Sequence, residues 1–206
     1  MGTDDLFKKA KLQKEVRKRN NKKQLLDNIL ILCEGEKTEP NYFNSIKLKY
    51  RLSNVNIRGL GSNTDTITKT AIKHHKDYSQ VWCVFDRDSF TAHHFNRAFQ
   101  MVTKYKNIHI AYSNEAFELW YLLHFNYYNT GISRAQYCDI LSRLLGKEYK
   151  KNSTEIYDLI CDRENTAIKN AKRLLDSYSN ENPERNNPST TVYKLVEELN
   201  KFKDIF

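Results

Sequence analysis

The chain has 206 residues, 39% of them hydrophobic and 29% charged, and a formal net charge of +9, which suits one globular domain with an extension or a small second one. It holds no run of about 18 apolar residues, so no membrane span is expected, and its polar start lacks an apolar signal region, which points to the cytoplasm. The cysteines (Cys33, Cys83, Cys138 and Cys161) stand far apart with no CxxC pair, so zinc spacing is absent and buried free thiols are expected.

The positive charge is uneven. Nine lysines and arginines lie between Lys8 and Lys23 against a single acid, Glu15, and the rest of the chain is close to neutral. Such a segment attracts phosphate backbones without reading sequence. Its alternative is a solvated helix or tail that aids solubility. The spacing allows a helix from Asp4 to Asn20, with Leu6, Leu12 and Val16 too sparse for a full core face. Asn28 to Cys33 (NILILC) reads as a buried strand. It ends in Glu34-Gly35-Glu36-Lys37-Thr38-Glu39-Pro40. Gly35 permits a sharp turn there, and Pro40 fits the first turn of a helix. Tyr42, Phe43, Ile46 and Tyr50 then recur at helical spacing. A short strand is expected over Asn54–Arg58, a loop over Gly59–Asn63 and a helix over Thr64–Tyr78.

The next apolar run, Val81 to Phe85, stops abruptly at Asp86-Arg87-Asp88. Side chains alternate along an extended strand, so the two aspartates share a side. There they raise each other's pKa, a burden that a divalent cation or a phosphate-handling reaction explains. A helix through Phe95, Phe99, Met101 and Val102 follows, then a fourth strand, Ile108–Tyr112. Ser113-Asn114 can cap a helix over Glu115–Phe125, on which Asn114 and Glu118 would share a face. Helices are expected over Arg134–Leu145, Thr154–Tyr178 and Thr190–Phe206, the last with Val192, Leu195, Val196 and Leu199 on one side. Strands alternating with helices argue for an α/β domain with a mostly parallel four-stranded sheet flanked by helices, because parallel neighbours need crossover connections. The expected divisions are a basic arm over 1–27, a core over 28–126, and a helical C-terminal extension over 127–206 packed on that core.

In an open α/β sheet the site lies beyond the carboxyl ends of the strands. Three such ends carry acids: Glu34, then Asp86 and Asp88, then Glu118. Hard oxygen ligands suit Mg²⁺ or Mn²⁺ better than zinc, and such ions activate water and stabilise the leaving oxygen of a phosphodiester. Lys37 is a sensible phosphate partner, with a solvated first-turn lysine as the plainer alternative. Glu36 and Glu39 suit the positive N-terminus of the helix that follows, with a role in the site as the alternative for Glu39. Arg87 is placed for a salt bridge or a substrate contact. Neighbours on a helix diverge by about 100°, so neither His74-His75 nor His93-His94 suits a joint metal site. His124 is expected in the core or at its rim, with a substrate contact as the alternative. An apolar strand ending in DxD is also the nucleophile signature of haloacid-dehalogenase-type phosphatases. No Asp-Asp pair follows Asp88 here, and that reading leaves Glu34 without a role.

Glu34 in CEGEKTEP, Asp86 and Asp88 in VFDRD, and SNEAFELWYLLHF with Glu118 together resemble the RloB-like family. NPSTTVYKLVEEL fits that family's closing segment, and the resemblance runs from about Ile29 to Leu199. The family is similar to bacterial abortive-infection proteins and carries a Toprim-type domain. The resemblance implies metal-dependent phosphodiester cleavage or transfer, with Glu34 as general acid/base or ligand and Asp86 and Asp88 holding Mg²⁺ or Mn²⁺. It makes Glu118 an additional acid of the nuclease-type relatives. It also implies phage defence beside a companion ATPase. The expectation is thus a Toprim-like nuclease acting on DNA or RNA, tRNA included. The alternative is a non-catalytic nucleic-acid-binding or regulatory subunit, for which the basic arm alone would suffice. Oligomeric state has no signature in the sequence.

Overall fold

The computed structural model describes residues 11–15, 28–87 and 92–203. Residues 11–15 are helical, within the expected first helix; the rest of the basic arm, Asp88 and the last residues of the chain lie outside the described residues. The sheet is built from β1 (Ile29–Cys33), β2 (Val55–Gly59), β3 (Gln80–Asp86), β4 (Ile108–Asn114) and β5 (Ser189–Thr190). Its order is β2-β1-β3-β4-β5. The first four strands run parallel and β5 pairs antiparallel with β4. Four strands were to be expected from the apolar runs; the sheet has five. A two-residue edge strand carries no periodicity that a sequence pattern could reveal.

The helices are α1 (Thr38–Lys49), α2 (Thr64–His74), α3 (Ala92–Val102), α4 (Glu118–Leu123), α5 (Arg134–Leu145), α6 (Ile156–Ile160), α7 (Glu164–Asp176) and α8 (Val192–Asn200). A 3₁₀ turn, Cys161–Arg163, joins α6 to α7. The single helix expected over Thr154–Tyr178 is therefore three pieces. β4 runs on to Asn114, so Asn114 is a strand residue and shares no helical face with Glu118. Its amide instead donates to the carbonyls of Pro183 and Glu184, each at 3.1 Å, and so ties the returning C-terminal segment to the sheet. The helix expected to start at Thr190 starts at Val192, because Ser189–Thr190 is drawn into the sheet edge. Among the described residues no helix is long and apolar enough to cross a membrane.

The apolar run of β1 has a simple cause. Both faces of a parallel strand are covered, so every position must be apolar. Ile29, Ile31 and Cys33 face one core with Tyr42, Phe43 and Trp120, while Leu30 and Leu32 face the other with Ile67, Phe85 and Phe95. The second core is closed by α2 and α3. The first is closed by α1, α4 and the later helices, including the stripe Val192, Leu195, Val196 and Leu199, which is wholly buried. β1 has β2 on one side and β3 on the other, with α1 and α2 on opposite faces. The chain therefore reverses its winding between β1 and β3, and a crevice opens at their carboxyl ends.

Candidate metal and phosphodiester site

Register places the first two acids. Cys33 pairs with Val84 across the β1–β3 ladder, and the Glu34 N–H extends it by donating to the Val84 carbonyl at 2.9 Å. The Glu34 side chain then turns along the sheet edge, where Oε2 accepts from the backbone N–H of Asp86 at 3.1 Å. A carboxylate that accepts a main-chain N–H is held in one orientation. Thr64, at the start of α2, stands with its hydroxyl 3.5 Å from Oε1 of the same side chain.

The turn after β1 folds back tightly. A Cβ on Gly35 would overlap the carboxylate of Glu39, and a Cβ on Gly59, at the end of β2, would stand 2.7 Å from the Gly35 carbonyl oxygen. Both positions need glycine because other groups already fill the space. Glu39 lies in the first turn of α1 but is buried, turned toward the crevice instead of toward solvent. Burial, with the charge of Glu118 adding to it, pushes its carboxyl above the ordinary value, against the pull of backbone N–H groups and Arg134.

Glu118 opens α4, a six-residue helix buried on every side. A helix apolar all round belongs inside a core, so its one acid must point into a lined space. Its Oε1 accepts from the Tyr149 hydroxyl at 3.3 Å. Burial and the Glu118 charge raise the Tyr149 pKa, which keeps the phenol protonated and donating. Arg134 comes from the start of α5, fixed by a capping box between Ser133 and Gln136. Its guanidinium contacts Asp86 Oδ2 at 2.8 Å. Glu34, Glu39, Asp86 and Glu118 line one cleft of about 150 Å³ with Arg134, Lys151 and Phe117.

Three of the sequence candidates thus converge: Glu34, Asp86 and Glu118. Asp88 lies outside the described residues. Lys37 is exposed and borders a neighbouring groove with Glu36, Gly61 and Asn152. Arg87 packs its guanidinium over the Phe95 ring, 5.8 Å from its centroid. His124 is wholly buried beside Trp120. His94 faces Asp65 and His74 faces Asp77. Cys33 and Cys83 are buried free thiols. Sequence reasoning missed Arg134, Tyr149 and Lys151, and read Glu39 first as a helix-dipole acid, with a place in the site as the alternative. The capping box marked a helix start at Arg134, but no local pattern says which strand end that start faces.

Among the described residues the donor set is chemically suited to a hard divalent cation: four carboxylates, no thiolate and no imidazole. The raised pKa of Glu39 comes first from burial, with the Glu118 charge adding to it, and a bound cation would favour its charged form. Among the described residues no three Asp, Glu, His or Cys side chains already stand together as a metal cluster. Arg134 is engaged with Asp86.

A sequence model described as RloB-like protein matches residues 29–199, and the chain belongs to that family. No curated protein and no solved structure matches the chain.

Proposed function

We propose that this RloB-like protein is a Mg²⁺- or Mn²⁺-dependent nuclease with a Toprim-like core. The observation that carries the reading is the meeting of Glu34, Asp86 and Glu118, from three separate chain segments, in one cleft with Arg134 and Lys151. Burying several carboxylates together is costly unless a cation or a positively charged group compensates them. A bound divalent ion would lower the pKa of water and stabilise the leaving oxygen of a phosphodiester. Glu34, Asp86 and Glu118 would hold it, with Asp88 as a further candidate ligand and Glu39 close by.

The chain's own groups have distinct tasks. Glu34, oriented by the Asp86 N–H, is positioned to move a proton to or from the attacking or leaving oxygen. Arg134 reaches a non-bridging phosphate oxygen, for which a guanidinium is well shaped. Lys151 adds charge at the mouth, and the Tyr149 hydroxyl orients Glu118. Phe117 restricts water. Resemblance to abortive-infection proteins extends the proposal to bacterial anti-phage defence beside a companion ATPase, on DNA or RNA, tRNA included.

Incubation of the purified chain with Mn²⁺ and labelled DNA, tRNA and unstructured RNA tests the reading. Cleavage should appear, vanish with EDTA, and fall by roughly 10²–10⁴-fold in Glu34→Gln, the size of a general acid–base contribution. Asp86→Asn should fall comparably, with both variants keeping the parent's circular dichroism. Unchanged cleavage in either would sink the assignment. The Arg134–Asp86 contact specifically favours a second reading, a non-catalytic nucleic-acid-binding subunit. That protein would bind without divalent ions and cut nothing.

A further inference from the structure

The loop between α5 and α6, residues 146–155, is pinned onto the turn that follows β1. The Thr38 hydroxyl donates to the Lys151 carbonyl at 2.8 Å, and the Asn41 amide donates to the Asn152 carbonyl at 3.2 Å. Tyr149, from the same loop, reaches Glu118 in the cleft. These ties hold a lysine-rich segment (Lys147, Lys150, Lys151) against the acidic site. Three depressions adjoin one another. The cleft shares Gly35 and Thr38 with the groove bordered by Lys37 and Asn152. That groove shares Asn152 with a third depression bordered by Lys147 and Lys150.

We propose that these adjoining depressions form one path that carries the sugar–phosphate backbone of a polynucleotide away from the cleft, with Lys151 and Lys37 as phosphate contacts. The inference rests on the nucleic-acid reading above and names where the strand lies. Four carboxylates at the cleft repel a polyanion, so a chain of phosphates needs cations beside it to approach. Lys37 and Lys151 are exposed and make no ion pair among the described residues. Among the described residues Lys147 and Lys150 pair only with the exposed acids Glu155 and Glu148, at 2.8 and 3.8 Å. Solvent screens such pairs, and a phosphate can displace the acid. The neighbouring loop backbone is already hydrogen-bonded to α1, so the lysines are presented on a fixed ledge.

Binding of a labelled single-stranded oligonucleotide, as DNA and as RNA, to the full chain in EDTA tests this. Affinity is followed against salt for the parent, Lys37→Gln/Lys151→Gln and, as a control from the opposite end of the sheet, Lys104→Gln. Each lost phosphate contact makes the slope of log K against log salt shallower by about 0.7 on single strands. The double variant should therefore lose about 1.4 and the control nothing. A slope in the double variant equal to the parent's overturns the groove. A parallel Mn²⁺ cleavage assay separates the two claims. A shallower slope in the double variant, together with a parent that cuts nothing, keeps the groove and removes the nuclease. Cleavage with an unchanged slope does the reverse.

Discussion

Asp86 carries two demands at once. Its backbone N–H orients Glu34, and its carboxylate is held by Arg134 at 2.8 Å. The pair is partly buried, so losing the guanidinium leaves a carboxylate short of compensation. Arg134→Gln should therefore lower the melting temperature of the metal-free protein. It should also tighten Mn²⁺ binding in calorimetry, because Asp86 no longer has to be shared. Cleavage should still fall, by roughly 10–100-fold, the usual loss when a group supporting a metal centre is removed. Unchanged Mn²⁺ affinity would show that Asp86 does not bind the ion. At this scale the sequence was readable where an apolar run met an acid, as at Glu34 and Asp86. It was not readable at Arg134, forty-eight residues beyond Asp86, because tertiary packing alone brings that helix start to the strand end. Nothing local decides between a dipole-compensating and a site role for Glu39, and Gly35 is what lets its carboxylate turn inward.

Elements were legible in proportion to their length and periodicity. β1, α5 and the apolar stripe of α8 follow from pattern alone, since each has enough residues to display its period. The errors gather where a few residues of one segment answer to another. β4 continues to Asn114 because Ser189–Thr190 pairs with its last two positions. The packing of α1 against α4 decides whether Glu39 and Glu118 meet at all. Tyr42 is its centre, with ring contacts to Phe43, Phe117, Trp120, Tyr121 and Tyr157 between 5.3 and 6.4 Å. Truncating a buried aromatic of this kind costs about 3–5 kcal/mol. Tyr42→Ala should lose that much in urea unfolding. A loss under about 1 kcal/mol, the level of ordinary surface changes, would contradict this packing.

For the molecule as a whole, the core around Tyr42 and Trp120 makes stability depend on pH through His124. Nδ1 lies 2.9 Å from the Trp120 carbonyl and so carries the proton. Nε2 has no hydrogen-bond partner among the described residues. Burial, with the Arg163 charge assisting and two backbone hydrogen bonds opposing, lowers its pKa from 6.5 to about 4. Below about pH 6.5 the unfolded chain takes up a proton that the folded one refuses. The contribution is complete above the unfolded value and is lost as pH falls toward the folded value. It amounts to about 3 kcal/mol across that window. His124→Asn, which retains a donor toward Trp120, should flatten the unfolding free energy between pH 7 and pH 4 relative to the parent. Equal slopes would place the acid sensitivity elsewhere.

The strand order and the covered faces matter most because they bring the ends of β1 and β3 side by side. The account stands on what those ends hold. Anomalous diffraction from a crystal soaked in Mn²⁺ tests it most directly. The account predicts a peak in the cleft, coordinated by oxygens of Glu34, Asp86 and Glu118 and absent from Asp86→Asn crystals. A cleft without Mn²⁺ density, in a protein that still cuts nucleic acid with Mn²⁺, would contradict it.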